Sequence, residues 1–196
     1  MAKKVLLGGI VGAVIVFLLS AVFHMATKLG EMGIQNLPGE GAIETAMRTS
    51  IHESGFYFFP GMTGGPGQSE RPTPAQQKEF LDKYKQGPTG ILIYHPGGEE
   101  LNFGKRLVVQ FMIGLVAAFL AAWILAMTAS ATTFSGRVLI ITLMALFAGV
   151  YMSLPYWNWY GFPTNYTVAY IFTVVVSWLI AGFGMAAVMK DRASAG

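Results

Sequence analysis

Four long apolar segments that contain no charged residue constrain the fold of this chain more than any other feature. They cover about residues 5–23, 107–127, 138–154 and 168–189. Each segment is about as long as an α-helix that crosses a bilayer core of about 30 Å, because a helix rises about 1.5 Å per residue. The sequence therefore predicts an all-α membrane protein with four transmembrane helices in a lipid bilayer.

The apolar segments divide the chain into four predicted parts. These are a first transmembrane helix over residues 1–29, a small α+β cap over 30–106, three transmembrane helices over 107–189, and a tail over 190–196. The first apolar run is longer than the core of a cleaved signal peptide, so we interpret it as an uncleaved signal-anchor. If this helix continues to Leu29, His24, Lys28 and Glu31 share one of its faces.

The basic residues next to the apolar segments predict the orientation. Lys3, Lys4, Arg137 and Lys190 all flank segment ends that would lie on the same side of a membrane. Short basic flanks face the cytoplasm, whereas a long loop is translocated largely regardless of its charge. We therefore expect both termini in the cytoplasm and the cap outside it, with Arg137 ending a short inner loop.

Small residues inside the apolar segments predict how the helices pack. Gly8 and Gly12 have GxxxG spacing, Ala117 and Ala121 repeat it in the second segment, and Gly182 lies in the fourth. Lipid provides no hydrophobic drive for helix association, so membrane helices pack where small side chains allow close approach. These residues are expected to form helix contacts, either within the chain or with a partner's helix.

The cap is predicted to contain two helices and two strands. Gly41–Ser50 reads as a short amphipathic helix, and the aromatic segment Gly55–Pro60 could pair as a strand with Gly90–Tyr94. A second helix starts where Thr73 can cap, with Pro74 in the first helical position and Gln76 closing a capping box. That helix is expected to end near Gln86 and to bury a stripe of three side chains, Phe80, Leu81 and Tyr84.

All three histidines lie in or beside the cap. Glu53 adjoins His52, and His24 and His95 complete the set. Imidazole with carboxylate or methionine ligands suits copper or zinc, so we consider a metal site formed by these residues. The chain has no cysteine and no HExxH motif. No cofactor is therefore predicted beyond this copper or zinc alternative.

An aromatic run is predicted to form an outer loop over Pro155–Asn165, between the last two membrane helices. It contains Trp157, Asn158 and Trp159. Tryptophan and tyrosine favour the headgroup zone, where an apolar ring and a polar edge are both satisfied. The alternative is a ligand wall for a lipid tail or a quinone-like ring, in which Asn158 would donate or accept a hydrogen bond.

Four motifs together resemble a group of small bacterial inner-membrane proteins whose activity is not known. The motifs are Phe56–Gly61, Gly87–Gly90, Tyr94–Gly98 and Tyr156–Pro163. The resemblance covers most of the chain and implies a location in the bacterial inner membrane. It implies no functional residue, so the function has to be interpreted from the residues themselves.

The leading interpretation is a non-enzymatic membrane protein, an accessory or scaffold subunit that works through membrane-protein partners or as a homo-oligomer. The apolar segments lack the ionisable groups of proton relays and voltage sensors, and no basic cluster suits nucleic acid. The alternative is an extracytoplasmic site for a metal, lipid or quinone-like ligand. Enzymatic use of His52 with Ser50 or Ser54, and a homo-oligomeric pore lined by Gln110, Thr142 or Thr173, are further hypotheses.

Overall fold

The computed structural model describes residues 1–61, 71–98, 100–128 and 133–189. The chain forms two compact units, which we name the helical unit (Met1–Ile34 with Leu101–Gly196) and the polar unit (Gln35–Glu100). In chain order the elements are α1 (Ala2–Met25), α2 (Glu40–Ser50), β1 (Gly55–Phe59), α3 (Pro74–Gln86), β2 (Gly90–Tyr94), α4 (Phe103–Met127), α5 (Phe134–Tyr160) and α6 (Thr164–Val188).

The predicted set of four apolar helices is confirmed. Of the described residues 71% are helical, and α1, α4, α5 and α6 are each long and apolar enough to cross a membrane. Each helix begins before its predicted apolar segment. Side-chain caps begin two of them: the Asn102 side chain accepts a hydrogen bond from the Lys105 N–H, and the Thr133 hydroxyl accepts one from the Gly136 N–H. Hydropathy therefore misses the polar first turn of each helix.

In the helical unit, α1 packs against α4 and α6, and α5 packs against α6. The glycines of α1 lie at this junction. A Cβ atom placed on Gly12 would lie 2.7 Å from the Met185 sulfur and 3.3 Å from the Ala118 Cβ, and one on Gly8 would lie 2.7 Å from the Met189 sulfur. The absence of a side chain on α1 therefore allows the close approach of both neighbouring helices.

The other predicted packing residues also lie on helix contacts. Ala121 is buried in the core cluster with Leu125, Met185 and Met189, whereas Ala117 is only half-buried. Gly182 is buried opposite Ile141 of α5. Small residues thus line the contacts that α4 and α6 make inside this unit.

The prediction that the first helix continues to Leu29 is wrong, because α1 ends at Met25. The Thr27 hydroxyl donates to the Phe23 carbonyl at 2.7 Å, and the Gly30 N–H donates to the same carbonyl at 3.1 Å. In a continuing helix, the Phe23 carbonyl would instead accept a hydrogen bond from the Thr27 N–H. His24, Lys28 and Glu31 therefore do not share a helical face.

The polar unit contains the predicted two-stranded sheet and both predicted helices. Strands β1 and β2 pair antiparallel, from Gly55 opposite Tyr94 to Phe59 opposite Gly90. The capping box of α3 is present, since the Gln76 N–H donates to the Thr73 hydroxyl and the Thr73 N–H donates to the Gln76 side chain.

The predicted burial of the α3 stripe is wrong. Phe80 is half-buried, and Leu81 and Tyr84 are exposed. Tyr94 is the one buried residue among the described residues of the polar unit. A unit this small has too little chain to cover every apolar side chain that its helices and strands present.

We expect Gly12→Leu to destabilise the helical unit by about 1–3 kcal/mol, because the new side chain must displace Met185 and Ala118. The thermal unfolding midpoint in mild detergent measures the effect. Gly114→Leu is the matched control, since among the described residues no atom lies within 4 Å of a Cβ there. Equal midpoints for the two variants would contradict the packing described for α1.

Candidate functional site

The aromatic run is helical, so the prediction of an outer loop over Pro155–Asn165 is wrong. Helix α5 continues through Pro155 to Tyr160, and α6 begins at Thr164 after a connection of three residues. Gly161 ends α5 in the left-handed conformation, at φ 70°, and its N–H donates to the Tyr156 carbonyl. Proline removes one helical hydrogen bond, but glycine is the residue that ends the helix without a steric penalty.

The predicted ligand residues lie on the last helical turn of α5. The Trp157 indole N–H donates to the Thr164 hydroxyl at 3.0 Å, which ties the end of α5 to the start of α6. Asn158 and Trp159 line an open cleft of about 320 Å³ beside Pro155. Trp159 is 78% exposed. All three residues are exposed, and the cleft that Asn158 and Trp159 share is not lined by Trp157. The ligand-wall hypothesis stays a prediction.

A second aromatic cleft lies between the ends of α5 and α6, and we name it the α5–α6 cleft. Its volume is about 210 Å³, and its walls are formed by Met152 and four aromatic rings, Tyr156, Phe162, Tyr166 and Tyr170. Neighbouring rings are 5.5 Å apart from Tyr156 to Phe162, 5.7 Å from Phe162 to Tyr166 and 6.4 Å from Tyr166 to Tyr170. The aromatic side chains thus form one continuous series.

Two hydroxyl side chains are the buried part of the α5–α6 cleft. Thr167 is buried and its hydroxyl donates to the Pro163 carbonyl at 3.1 Å. Ser153 is 9% exposed, and its hydroxyl has no hydrogen-bond partner in the part of the chain that the structure describes. Among the described residues, no charged side chain lines this cleft. It therefore offers aromatic surface, the buried Ser153 hydroxyl and the phenol groups of three tyrosines.

Sequence reasoning missed this cleft because its walls come from both sides of the turn. Tyr166 and Tyr170 are four residues apart on α6, which is a visible helical signal. Their proximity to Tyr156 follows only once Gly161 is known to end α5. The predicted loop began at Pro155, six residues before Gly161 ends the helix.

Among the three histidines, His24 lies in the helical unit. Its Nδ1 is 2.8 Å from the Ser20 carbonyl oxygen, and its ring packs against Gly30. The imidazole side chain therefore has local partners at the end of α1. These contacts are consistent with a structural role, and they leave Nε2 without an assigned function.

His52 and His95 lie in the polar unit, at the same end of the sheet. His52 precedes β1 and His95 follows β2, and the register pairs Gly55 with Tyr94 at that end. Both side chains and that of Glu53 are exposed. Across the described ranges, no group of three or more histidine and carboxylate side chains is arranged to hold a metal ion. The copper or zinc hypothesis stays a prediction.

The polar residues proposed to line a pore have partners in their own helices. The Thr142 hydroxyl donates to the Val138 carbonyl at 2.8 Å, and the Thr173 hydroxyl donates to the Tyr170 carbonyl at 3.0 Å. Gln110 is exposed on α4. Such hydrogen bonds to the helix backbone are the usual way in which apolar helices accommodate threonine.

Arg137 is a buried charge, although it was predicted to end a short loop. It lies in the first turn of α5, is 5% exposed, and donates from a terminal guanidinium nitrogen to the Met189 carbonyl at 2.8 Å. A cation is favourable at a helix C-terminus, where carbonyl groups lack helical donors. Arg137 therefore joins the start of α5 to the end of α6. The predicted tail from Lys190 onward lies outside the described residues.

Comparisons with protein-family models, curated proteins and solved structures find no match for this chain. The assignment of function therefore rests on the residues and on the geometry described above.

Replacing Arg137 with alanine is expected to lower the stability of the helical unit by about 1.5–3 kcal/mol, the usual loss for a hydrogen bond to a charged group. Chemical denaturation in mild detergent measures it. Arg106→Ala removes an exposed arginine from the first turn of α4 and should have little effect. A loss of the same size in both variants would argue against the described role of Arg137.

Proposed function

We propose that this chain is a non-enzymatic protein of the bacterial inner membrane, an accessory or scaffold subunit of a larger assembly. Four apolar helices support the multi-pass membrane location. In this proposal both termini are cytoplasmic and the polar unit is extracytoplasmic. The polar unit then provides the surface through which the protein contacts its partners.

The observation that carries this proposal is the exposure of one apolar face of the two-stranded sheet, which we name the outer sheet face. Phe56 and Phe58 point to the same side as their cross-strand partners Ile93 and Ile91. Their rings contact each other edge to face, with centroids 5.0 Å apart. Ile93 is 66% exposed, and both phenylalanines are exposed as well. This sheet face therefore presents four apolar side chains and no polar one.

The opposite face of the sheet is more covered. It presents Tyr57 and Leu92, which are half-buried, Tyr94, which is buried, and Phe59, which is exposed at the end of β1. An ordinary two-sided sheet directs apolar side chains to one face and polar side chains to the other. Exposed apolar patches of this kind mark surfaces that meet another molecule. We therefore assign the outer sheet face to a partner protein.

Helix α3 has the same division between an apolar and a charged side. Leu81 and Tyr84 are exposed, whereas Lys78 and Asp82 form an ion pair at 2.7 Å on the solvated side. The Lys78 ammonium lowers the pKa of the Asp82 carboxyl, through a hydrogen bond and its charge. The charged side needs no partner, and the apolar side adds to the contact surface of the polar unit.

The proposed partner is an integral membrane protein with an extracytoplasmic part. The polar unit is joined at both ends to apolar helices of the same chain. A partner anchored in the same membrane would meet the sheet at high effective concentration, so a modest apolar surface would suffice for stable association. A soluble partner would lack this advantage.

A photo-crosslinking amino acid in place of Ile93 is expected to yield a defined adduct with a partner membrane protein in intact cells. The control places the same probe at Gln86, an exposed polar residue on the side of α3 away from Leu81 and Tyr84. Mass spectrometry identifies the adducts. An adduct with a second copy would indicate a homo-oligomer, and lipid adducts alone would contradict the accessory-subunit proposal.

The matched loss-of-contact variant is Phe56→Ser with Ile93→Ser, which should release the co-purifying partner while Gln86→Ser retains it. Elemental analysis of the same samples tests the metal alternative. One copper or zinc ion per chain, lost in His52→Ala or His95→Ala, would transfer the function to the histidines of the polar unit.

A further inference from the structure

We propose that the α5–α6 cleft binds the ring of a quinone-like lipid, a neutral carbonyl-bearing ring on an apolar tail. The inference is independent of the accessory role of the polar unit, because every residue of the cleft belongs to the helical unit. It concerns binding alone and assigns no redox step to the chain.

The uncharged lining of the cleft makes a charged lipid headgroup an unfavourable occupant. Its lining contains four aromatic rings, Met152, Ser153 and Thr167, without a basic or acidic side chain. A phosphate group that entered this cleft would lose its hydration shell and its counterions. No charged side chain of this lining would compensate for that loss. The occupant that suits this lining is uncharged.

The size and shape of the cleft favour a single ring. An apolar protein cavity of about 150 Å³ holds a benzene molecule. The α5–α6 cleft, at about 210 Å³, has room for a substituted ring but not for a whole lipid. Tyr156, Phe162 and Tyr166 would surround that ring with aromatic faces and edges, an arrangement that aromatic pairs favour.

Ser153 supplies the polar recognition. Its side chain is more than nine-tenths buried and lines the cleft, and its hydroxyl has no hydrogen-bond partner among the described residues. Thr167 already donates to the Pro163 carbonyl. The Ser153 hydroxyl is thus a buried donor available to a ligand, in addition to the phenol groups of the three lining tyrosines, and it matches a carbonyl acceptor on a ring.

The test measures binding of decylubiquinone, a short-tailed benzoquinone, to the full chain in phosphatidylcholine nanodiscs, with empty nanodiscs as the background. We expect saturable binding that Ser153→Ala weakens roughly two- to tenfold, the effect of one neutral hydrogen bond. Ser177→Ala is the matched control. Ser177 is also buried, but it lies on α6 ten residues beyond Thr167 and does not line the cleft.

Binding no greater than in empty nanodiscs, or equal loss in Ser153→Ala and Ser177→Ala, would overturn the proposal. Methyl decanoate, which has a carbonyl and a tail but no ring, distinguishes an ordinary lipid ester. Competition by it as strong as by the quinone would overturn the ring assignment. If Ser153→Ala fails to fold, the unmodified chain is labelled with a photoreactive azidoquinone. The proposal requires labelling on Tyr156, Tyr166 or Tyr170, and labelling elsewhere alone would overturn it.

Discussion

Close approach of helix backbones is the constraint on which the helical unit depends. Helices in lipid gain nothing from burying apolar surface against each other, so they associate where van der Waals contact is dense. Gly8 and Gly12 let α1 contact Met185 and Met189 of α6, and Gly12 also adjoins Ala118 of α4. One helix face without side chains thus brings three helices together.

The pair formed by α5 and α6 is held differently at its two ends. At one end Arg137 donates to the Met189 carbonyl, and at the other Trp157 donates to the Thr164 hydroxyl. Between these contacts the buried faces are lined by small or short side chains such as Ala145, Gly149 and Ala181. Near the turn the interface widens into the α5–α6 cleft, because bulky tyrosines replace the small residues there.

The polar unit follows a different physical logic. Its helices and strands are well specified locally, by a capping box in α3 and by an antiparallel register between β1 and β2. Its core is small, and Tyr94 is its one buried side chain within the described ranges. The apolar side chains that remain outside, Phe56 and Ile93 above all, are the reason for assigning this unit to contact with a partner.

The sequence by itself determined the four apolar helices, the two strands and the start of α3, because each depends on a local signal: a charge-free segment, an aromatic run, or a Thr73–Gln76 capping pair. Only the tertiary structure decided where α1 and α5 end, that Arg137 is buried, and that Ser153 lies among the tyrosines on both sides of Gly161. Those features depend on competition between backbone hydrogen bonds and on contacts between distant residues. Neither leaves a periodic pattern in the sequence.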